Sequence, residues 1–157
     1  MNALDDPALR LDAQLCFALH AASRAFDGVY RVTLRESGLT YPQYLVMLVL
    51  WEQEETTVKE LGRRLRLDSG TLSPLLKRME AAGWVERRRS ARDERSVVVR
   101  ATRAGEELRE SVGRISASTG AATGLTLDEA GELNEKVRAL ADALDAAAAR
   151  LAAEQEG

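Results

Sequence analysis

The chain has 157 residues, of which 45% are hydrophobic and 30% are charged, and its formal net charge is −3. This length leaves little room for large cofactor-binding machinery, and no apolar run approaches the roughly 20 residues that span a bilayer. The sequence has one cysteine, no Cys and His cluster with metal-ligand spacing, no phosphate-binding glycine loop and no N-terminal signal pattern. We therefore expect a cytoplasmic protein with no internal disulfide, no metal and no cofactor.

A long first helix is predicted over residues 7–36. Asp6 and Pro7 have the residue types of a helix N-cap and first turn. Gly28 lowers helix stability by about 1 kcal/mol, which permits a bend or a close helix contact there. One face of this helix is largely apolar, because its residues recur every three or four positions. They are Leu15, Leu19, Ala22, Phe26, Val29 and Thr33.

The second predicted helix follows a break at residues 37–39. Thr40 can cap it, and Pro42 lies in its first turn, where the backbone N–H groups have no helical partners. Residues 52–56 are expected to link this helix to the next segment. The apolar residues of the helix are Tyr44, Leu45, Leu48 and Trp51.

Two short helices joined by a tight turn are predicted next. Thr57 and Glu60 make a capping box that starts the first helix, over residues 57–66. Asp68 or Ser69 can cap the second helix. One side of the second helix is apolar and consists of Leu72, Leu75, Leu76 and Met79. The opposite side has Gly70, Thr71, Pro74, Lys77 and Arg78, with Ser73 at its margin.

A basic hairpin follows, with strands over residues 84–87 and 97–100 and a loop over residues 88–95. Two helices, a tight turn and a hairpin in this order predict a winged helix-turn-helix over residues 57–103. Residues 59–103 have 13 Lys or Arg against 6 Asp or Glu, a balance of +7, whereas the remainder has 9 against 19, a balance of −10. Such segregated positive charge is typical of a surface that binds DNA phosphates.

We expect the second of these helices to read double-stranded DNA. Thr71 and Ser73 are predicted to reach base edges or phosphates. Lys77 and Arg78 are predicted to contact phosphates or guanines, because cations bind both groups. The bases of the site are therefore expected to face the polar side of this helix.

The hairpin loop is predicted to reach the DNA beside the helix. Arg95 is expected to enter the minor groove, and Asp93 is expected to steady the loop by pairing with an arginine. The remaining predicted contacts are Ser69, Gly70, Arg88 and Arg92. A solvated charged surface is the alternative interpretation of the charge by itself.

Two further helices are predicted after the hairpin. Thr102 can cap the first, whose apolar face continues to Ile115, and the small residues over 116–124 are expected to end or loosen it. Thr126 and Glu129 make a second capping box. The last helix then has a heptad-like apolar stripe of Leu133, Val137, Leu140, Leu144, Ala147 and Leu151.

The apolar stripes on the helices at both ends of the chain need a partner. We predict a mainly α fold, one domain over residues 1–157, that forms a homodimer through helices within 7–36 and 103–153. Packing of the same helices into a monomeric bundle is the alternative. A dimer would present two recognition helices to the half-sites of a pseudo-palindromic operator, roughly 34 Å apart.

Several sequence segments resemble one family of regulators. The motifs DSGTLS at 68–73, LKRME at 76–80 and DERS at 93–96 resemble the MarR family of dimeric transcriptional regulators. The motifs LCFAL at 15–19 and TYPQYL at 40–45 are similar to one branch of it, the organic hydroperoxide resistance regulators called OhrR. The resemblance covers nearly the whole chain. It implies a reduced dimer that represses a gene for a thiol-dependent peroxidase and leaves DNA when Cys16, the peroxide sensor, is oxidised.

Two tyrosines are predicted to support this sensor. Tyr30 lies 14 residues after Cys16 on a similar helix face, but roughly 21 Å along the axis, so it cannot touch the sulfur of its own chain. Antiparallel packing of two first helices would bring it to Cys16 of the other subunit, and Tyr41 would approach the same place. Their hydroxyls would hold the thiolate or the oxidised sulfur. The alternative is that both are core aromatic residues.

The neighbours of Cys16 leave its chemistry open. His20, four residues later, would favour a thiolate, whereas Asp12, four residues earlier, would oppose it. The OhrR pattern more often has a tyrosine in place of His20, so a plain surface histidine is the alternative. A lone cysteine on an apolar stripe is often only a small buried hydrophobe. Without a second cysteine, a sulfenic acid would need a small external thiol, or overoxidation, to complete the switch.

Three functional hypotheses follow. The first is a DNA-binding repressor that organic hydroperoxide releases through Cys16. The second is a MarR-type regulator that a small phenolic or urate-like ligand releases by entering between the helices. The third is a thiol-dependent peroxidase that uses Cys16, with the basic segment only a solvated surface. The lack of a resolving cysteine counts against the third hypothesis.

Overall fold

The computed structural model describes residues 9–91, 93 and 95–155. This part of the chain is mainly helical, with six α-helices and one three-stranded antiparallel sheet. The helices are α1 (Leu15–Thr33), α2 (Tyr41–Gln53), α3 (Val58–Leu65), α4 (Ser69–Ala81), α5 (Arg103–Ala122) and α6 (Leu127–Gln155). The strands are β1 (Glu55–Thr57), β2 (Val85–Arg89) and β3 (Val97–Ala101). In the described ranges, no helix is both long and apolar enough to cross a membrane.

Helix α1 begins later than predicted, at Leu15 rather than at residue 7. Residues Leu11–Ala13 form a tighter 3-10 turn, and Gln14 then has an extended backbone with φ −83° and ψ 108°. These angles interrupt the α-helical hydrogen bonds, so the α-helix starts only after Gln14. The predicted cap at residues 6–7 lies outside the described residues.

Helix α1 also ends earlier than residue 36, at Thr33. A 3-10 turn, Arg35–Ser37, follows, and Gly38 ends it with a φ of 72°, a left-handed conformation that favours glycine. A Cβ built on Gly28 meets no other described atom within 4 Å, so the single chain has no close helix contact there. Although all of α1 is described, none of its residues is buried in the single chain.

Helix α2 lies at the centre of the hydrophobic core. Its first turn has the predicted Thr40 cap, because Thr40 N–H donates to Gln43 Oε1 at 2.8 Å and the reciprocal bond is also present. Val46, Met47 and Leu50 are fully buried. The core also contains Leu34, Leu39, Tyr44, Val49, Leu61, Leu72, Leu75, Leu76, Met79, Val85, Val99, Val112 and Ile115. The predicted apolar side of α4 is therefore buried.

The predicted link over residues 52–56 contains an unpredicted strand, β1. It pairs antiparallel with β3, and Thr56 lies opposite Val99, so β3 is the central strand of the sheet. Thr57 ends β1 and caps α3, because its hydroxyl accepts a hydrogen bond from the Glu60 N–H at 3.1 Å. The Glu60 carboxylate binds Arg63 at 2.6 Å. Half of the predicted capping box is therefore formed.

The hairpin strands are shifted from their predicted positions. Strand β2 begins one residue later and ends two residues later than predicted, and β3 extends one residue further. Arg88 and Arg89, predicted in the loop, therefore lie in β2, opposite Val98 and Val97. Consecutive β-branched valines favour an extended backbone in β3, which continues the ladder through both arginines.

Helix α5 ends at Ala122, inside the run of small residues over 116–124 that was predicted to end or loosen it, although most of that run is helical. Alanine has the highest helix propensity, and the Ser118 hydroxyl donates to the Arg114 carbonyl at 3.0 Å, which satisfies it within the helix. Gly124 then has a φ of 69°, which an α-helix cannot continue through.

Helix α6 belongs to a second compact unit, which begins at Gly120, whereas the first unit ends at Thr119. Its predicted capping box is formed: Thr126 N–H donates to Glu129 Oε2 at 2.8 Å, and Glu129 N–H donates to Thr126 Oγ1 at 3.3 Å. None of the residues of α6, all of which are described, is buried. Most of its heptad-like stripe is therefore exposed within this unit, and Leu140 and Ala147 are half-buried.

Candidate functional site

The polar side of helix α4 is exposed, as the sequence predicts. Lys77 and Arg78 have no ion pair with another described residue, so both cations are available to bind phosphates. The exposed residues on this side that were predicted to contact DNA are Ser69, Gly70, Thr71, Ser73, Lys77 and Arg78.

Asp68 caps α4 and fixes the first turn of this exposed side. Its Oδ1 accepts a hydrogen bond from the Thr71 N–H at 2.8 Å, and its Oδ2 accepts one from the Thr71 hydroxyl at 3.1 Å. The Thr71 N–H, and then its hydroxyl, hold the pKa of the Asp68 carboxyl below its usual value. While it donates to Asp68, the Thr71 hydroxyl can only accept from DNA. It therefore suits a base amino group better than a phosphate.

The hairpin loop is shaped by Asp93. Its carboxylate accepts hydrogen bonds from the Arg95 N–H at 3.0 Å and from the Ser96 hydroxyl at 2.7 Å. Among the described residues these bonds take the place of the predicted pairing with an arginine side chain. The Ser96 hydroxyl, and then the Arg95 N–H, lower the pKa of the Asp93 carboxyl. The side chain of Arg95 is exposed, and Arg92 lies outside the described residues.

Two arginines of β2 are held by carboxylates. Arg88, a predicted DNA contact, binds Glu55 of β1 at 2.6 Å. Arg87, which was not predicted as a contact, binds Glu80 of α4 at 2.6 Å. Exposed pairs of this kind contribute about 1 kcal/mol or less, so a phosphate can compete with the carboxylate. Arg88 is nonetheless less available to DNA than Lys77.

A groove joins the hairpin to the two helices before it. Lys59 of α3, Ser73 of α4, and Arg87 and Arg95 of the hairpin are among the residues that line it. The structure thus brings the predicted contacts Ser73 and Arg95 together and adds Lys59, which the sequence prediction omitted. The position of Lys59 one residue into α3, inside the basic segment, is the signal that identifies it. Several cations around one concave surface focus a positive potential.

Two substitutions test this surface. Arg95→Ala is expected to weaken operator binding by about 1 to 3 kcal/mol, because its guanidinium is an exposed cation of the loop. Lys77→Gln is expected to lower the affinity for all sequences and to reduce the salt slope by about one. Both are measured by fluorescence anisotropy at several salt concentrations. Arg109→Ala, an exposed cation of α5, is the control and should change neither quantity. Unchanged affinity and slope in both test variants would remove α4 and the hairpin from the interface.

Asp93→Ala is expected to weaken operator binding, although it removes a negative charge from the basic segment. Losing the two hydrogen bonds that shape the loop frees Arg95, and the loss of one net hydrogen bond lowers affinity roughly fivefold. Because the pKa of this carboxyl is lowered, its contribution is complete above the usual value of about 3.9 and is lost only as the pH falls through the lowered pKa. Tighter operator binding by Asp93→Ala would show that removing the negative charge affects affinity more than losing the order of the loop.

Cys16, the one cysteine of the chain, is exposed in the first turn of α1. His20, one turn later, is also exposed. Asp12 lies in the 3-10 turn before α1 and binds Arg10 at 2.8 Å, so its carboxylate is already partnered. Among the described residues, no group of three or more His, Cys, Asp or Glu side chains could hold a metal ion.

Three tyrosines form a cluster where α1 meets α2. Tyr30 stacks on Tyr41 with ring centroids 4.3 Å apart, and Tyr44 lies 5.7 Å from Tyr30. Burial is the largest cause that raises the pKa of all three hydroxyls, so they keep their protons and can donate hydrogen bonds. Tyr44 was predicted only as an apolar helix residue. Its spacing of three residues from Tyr41 is the signal that places it in the cluster.

The single chain brings Tyr30 and Tyr41 together but does not bring Cys16 to Tyr30. Cys16 and Tyr30 both lie on α1, so the helical rise separates them by roughly 21 Å. The predicted contact between them requires a second subunit and stays a prediction. Beside the stacked tyrosines, a groove is lined by Arg31 and Arg35 together with Tyr30 and Tyr41.

Comparison with known proteins gives a consistent result for sequence and for fold. A family model described as the transcriptional regulator SarA/Rot matches residues 29–112. The HTH-type transcriptional regulator TtmR of Methylorubrum extorquens is 51% identical over 92% of this chain and 73% of that protein. The organic hydroperoxide resistance transcriptional regulator of Bacillus subtilis is 51% identical over 65% of this chain and 69% of that protein.

Solved structures confirm the predicted winged-helix fold. AbfR of Staphylococcus epidermidis has a TM-score of 0.74 and 38% identity, and covers 90% of this chain and 98% of its own. AbfR has also been solved reduced on DNA, overoxidized on DNA, and with a disulfide. MarR from E. coli has a TM-score of 0.66 and 25% identity, over 81% of this chain and 96% of its own.

Proposed function

We propose that this chain, which belongs to the SarA/Rot family of MarR-like winged-helix transcriptional regulators, is a repressor that leaves its operator when organic hydroperoxide oxidises Cys16. Membership of the family makes it a DNA-binding transcriptional regulator and not an enzyme. The peroxidase hypothesis is therefore not retained.

The operator-binding surface we propose consists of α4 and the hairpin loop. The exposed hydroxyls of α4, Thr71 and Ser73, would face base edges, and Lys77 beside them would bind phosphate. Arg95 would enter the minor groove at the position that Asp93 fixes. A relative of this fold, AbfR, has been solved on DNA, which supports the same use of the fold here.

The observation that carries the redox proposal is the exposed position of Cys16 in the first turn of α1. Because α1 begins at Leu15 and the Cys16 thiol is exposed, a hydroperoxide can reach the sulfur from solvent. The thiolate is the form of cysteine that reacts with peroxide. The B. subtilis relative is named for organic hydroperoxide resistance, and this similarity supports the same role for Cys16.

The reaction we propose is a two-electron oxidation of the sulfur. The Cys16 thiolate attacks the terminal oxygen of the hydroperoxide ROOH, so an S–O bond forms as the O–O bond breaks. The sulfur becomes a sulfenic acid, and the released alkoxide takes up a proton to give the alcohol ROH. Since the chain has no second cysteine, a small external thiol then condenses with the sulfenic acid to give a mixed disulfide and water. Excess peroxide gives the sulfinic acid instead.

We place the other half of the sensor pocket on a second subunit. Helix α1 has no buried residue in the single chain, which suits a dimer, and homodimers are typical of this family. Antiparallel packing of two α1 helices brings the stacked Tyr30 and Tyr41 of one subunit to Cys16 of the other. A polar sulfur adduct between the two α1 helices costs desolvation free energy. That cost is reduced when the two winged helix-turn-helix segments move apart, and they then no longer fit their half-sites on DNA.

A heterodimer tests this assembly across subunits. Pairing a Cys16→Ser subunit with a Tyr30→Phe subunit leaves one pocket with both groups and the other with neither. We expect the intact pocket to lose its free thiol to peroxide at the rate of the unaltered protein. A rate equal to that of a measurably slower Tyr30→Phe homodimer would show that the tyrosine acts within its own chain.

Release by a small ligand is the second candidate function, because the wall of the groove beside the tyrosine pair has two cations against one carboxylate, Asp27. Arg31 and Arg35 line it together with Tyr30 and Tyr41. Guanidinium groups bind carboxylates, and the tyrosine rings can stack on an aromatic ring. This combination suits an acidic phenolic compound.

Operator release distinguishes the two functions. The protein is bound to the DNA upstream of its own gene and titrated with cumene hydroperoxide plus a small thiol, or with salicylate under reducing conditions. The redox proposal requires release by the hydroperoxide, recovery of binding on reduction, and no release by salicylate. Release by salicylate while Cys16 is fully reduced, without release by the hydroperoxide, would establish the second function instead.

A further inference from the structure

Thr119 of α5 has a buried hydroxyl without a hydrogen-bond partner. The residue is only 5% exposed, and no described atom forms a hydrogen bond with its Oγ1. The preceding residue, Ser118, satisfies its hydroxyl by donating to the Arg114 carbonyl of its own helix, but Thr119 does not. A buried unpaired hydroxyl lowers stability, whereas a valine of the same shape would not. Packing alone therefore does not account for a threonine at this position.

Thr119 lies on the buried face of α5, near Tyr30 of the tyrosine cluster. Thr119 continues the buried face of α5, since Val112 and Ile115 lie seven and four residues before it and belong to the core. Tyr30 packs against the same core. Burial raises the pKa of the Tyr30 hydroxyl, and the nearby Thr119 hydroxyl opposes that rise. In the single chain, the two groups are thus close without a hydrogen bond of good geometry.

We infer that Thr119 is a positioning residue that orients the hydroxyl of Tyr30 in the peroxide sensor, an inference that rests on the proposed function. Stacking on Tyr41 at 4.3 Å restrains the ring of Tyr30 but not the direction of its O–H. When the Tyr30 O–H donates to the sulfur of the partner subunit's Cys16, its oxygen is free to accept a hydrogen bond from Thr119. That bond turns the Tyr30 proton towards the sulfur and makes it a better donor.

Two substitutions of Thr119 separate the hydroxyl from the shape of the side chain. Thr119→Val removes the hydroxyl and keeps the volume, and it is expected to slow the oxidation of Cys16 by cumene hydroperoxide about fivefold, the effect of one net hydrogen bond. Thr119→Ser keeps the hydroxyl and should stay near the unaltered rate. The thermal stability of Thr119→Val should not fall, because the lost hydroxyl has no partner in the single chain.

The alkaline titration of the tyrosines provides a measurement that a packing defect would not produce. The titration step that belongs to the Tyr30 hydroxyl is the one that is absent from the Tyr30→Phe variant. In Thr119→Val this step should move to higher pH, because the hydroxyl that opposes the raised pKa is gone. Adding Thr119→Val to Tyr30→Phe should cause no further slowing of the peroxide reaction, because the two groups act as one unit.

Three outcomes separate this inference from the proposed function. An unshifted titration with equal peroxide rates in Thr119→Val and the unaltered protein would overturn the inference. Equal slowing by Thr119→Val with and without Tyr30 would also overturn it, because the hydroxyl would then act elsewhere. If peroxide fails to release the operator from the unaltered protein, the proposed function fails, and the titration still decides whether Thr119 positions Tyr30.

Discussion

Cys16→Ser is expected to bind the operator with unchanged affinity and to remain bound at hydroperoxide concentrations that release the unaltered protein. Serine keeps the size and a hydrogen-bonding group, but its hydroxyl is not oxidised to a sulfenic acid. Because the chain has no other cysteine, no second thiol can replace the missing one. The response to organic hydroperoxide should therefore be lost completely. The measurement is anisotropy of labelled operator, with peroxide and a small thiol added to the complex.

The methionines are the other sulfurs that peroxide can oxidise. Met47 and Met79 have no exposed surface, whereas Cys16 is exposed, so peroxide should reach Cys16 before either of them; Met1 lies outside the described residues. High salt should release both the unaltered protein and Cys16→Ser from DNA, and this control shows that the variant binds the operator reversibly. Release of Cys16→Ser by peroxide would assign the response to a methionine or to a route without oxidation, and Cys16 would lose its role as sensor.

Gly105→Ala is expected to destabilise the protein by about 3 kcal/mol, the upper part of the range for overpacking a rigid site. A Cβ on Gly105 would lie 2.1 Å from the backbone oxygen of Trp84, which cannot move as a flexible side chain does. That oxygen also accepts the Thr102 N–H at 3.0 Å, and the Gly105 carbonyl accepts the Trp51 indole N–H at 3.2 Å. An added methyl group therefore separates α5 from both the hairpin and α2. Urea unfolding at fixed protein concentration measures the loss.

Gly113→Ala, in the same helix, is the matched control. A Cβ at Gly113 meets no described atom within 4 Å, so alanine should stabilise α5 by up to about 1 kcal/mol through its helix propensity. Equal unfolding midpoints for Gly105→Ala and the unaltered protein would show that α5 is not packed against Trp84 in solution.

Helix caps are predictable from this sequence because each cap bond joins residues three positions apart. The caps at Thr40, Thr57 and Thr126 are formed where the residue types predict them. Strand β1 is not predictable in this way. Its three residues become a strand only by pairing with β3, far along the chain, and a short link has no periodicity that reveals such pairing. The start of α1 is missed because Gln14 has no residue type that signals an extended backbone.

Some features of the candidate site are likewise predictable from the sequence, and others are not. Periodicity and charge are enough to predict that Lys77 and Arg78 are exposed on α4, because both properties are local. They do not predict that Arg88 is held by Glu55, since that ion pair forms only when β1 joins the sheet. The place of Thr119 beside Tyr30 is also invisible in the sequence, where it is one small residue in a run of small residues. Both the ion pair and the position of Thr119 depend on tertiary packing.

The most direct test of the redox function follows the oxidation of Cys16 and the loss of operator in the same samples. The complex is titrated with limiting cumene hydroperoxide and a small thiol, and intact mass spectrometry gives the fraction of Cys16 in a mixed disulfide while anisotropy gives the fraction of operator bound. We expect bound operator to fall as the oxidised fraction rises, and both to return on addition of dithiothreitol. Operator that stays bound to fully oxidised protein, or that leaves while Cys16 is still reduced, would contradict the proposed function.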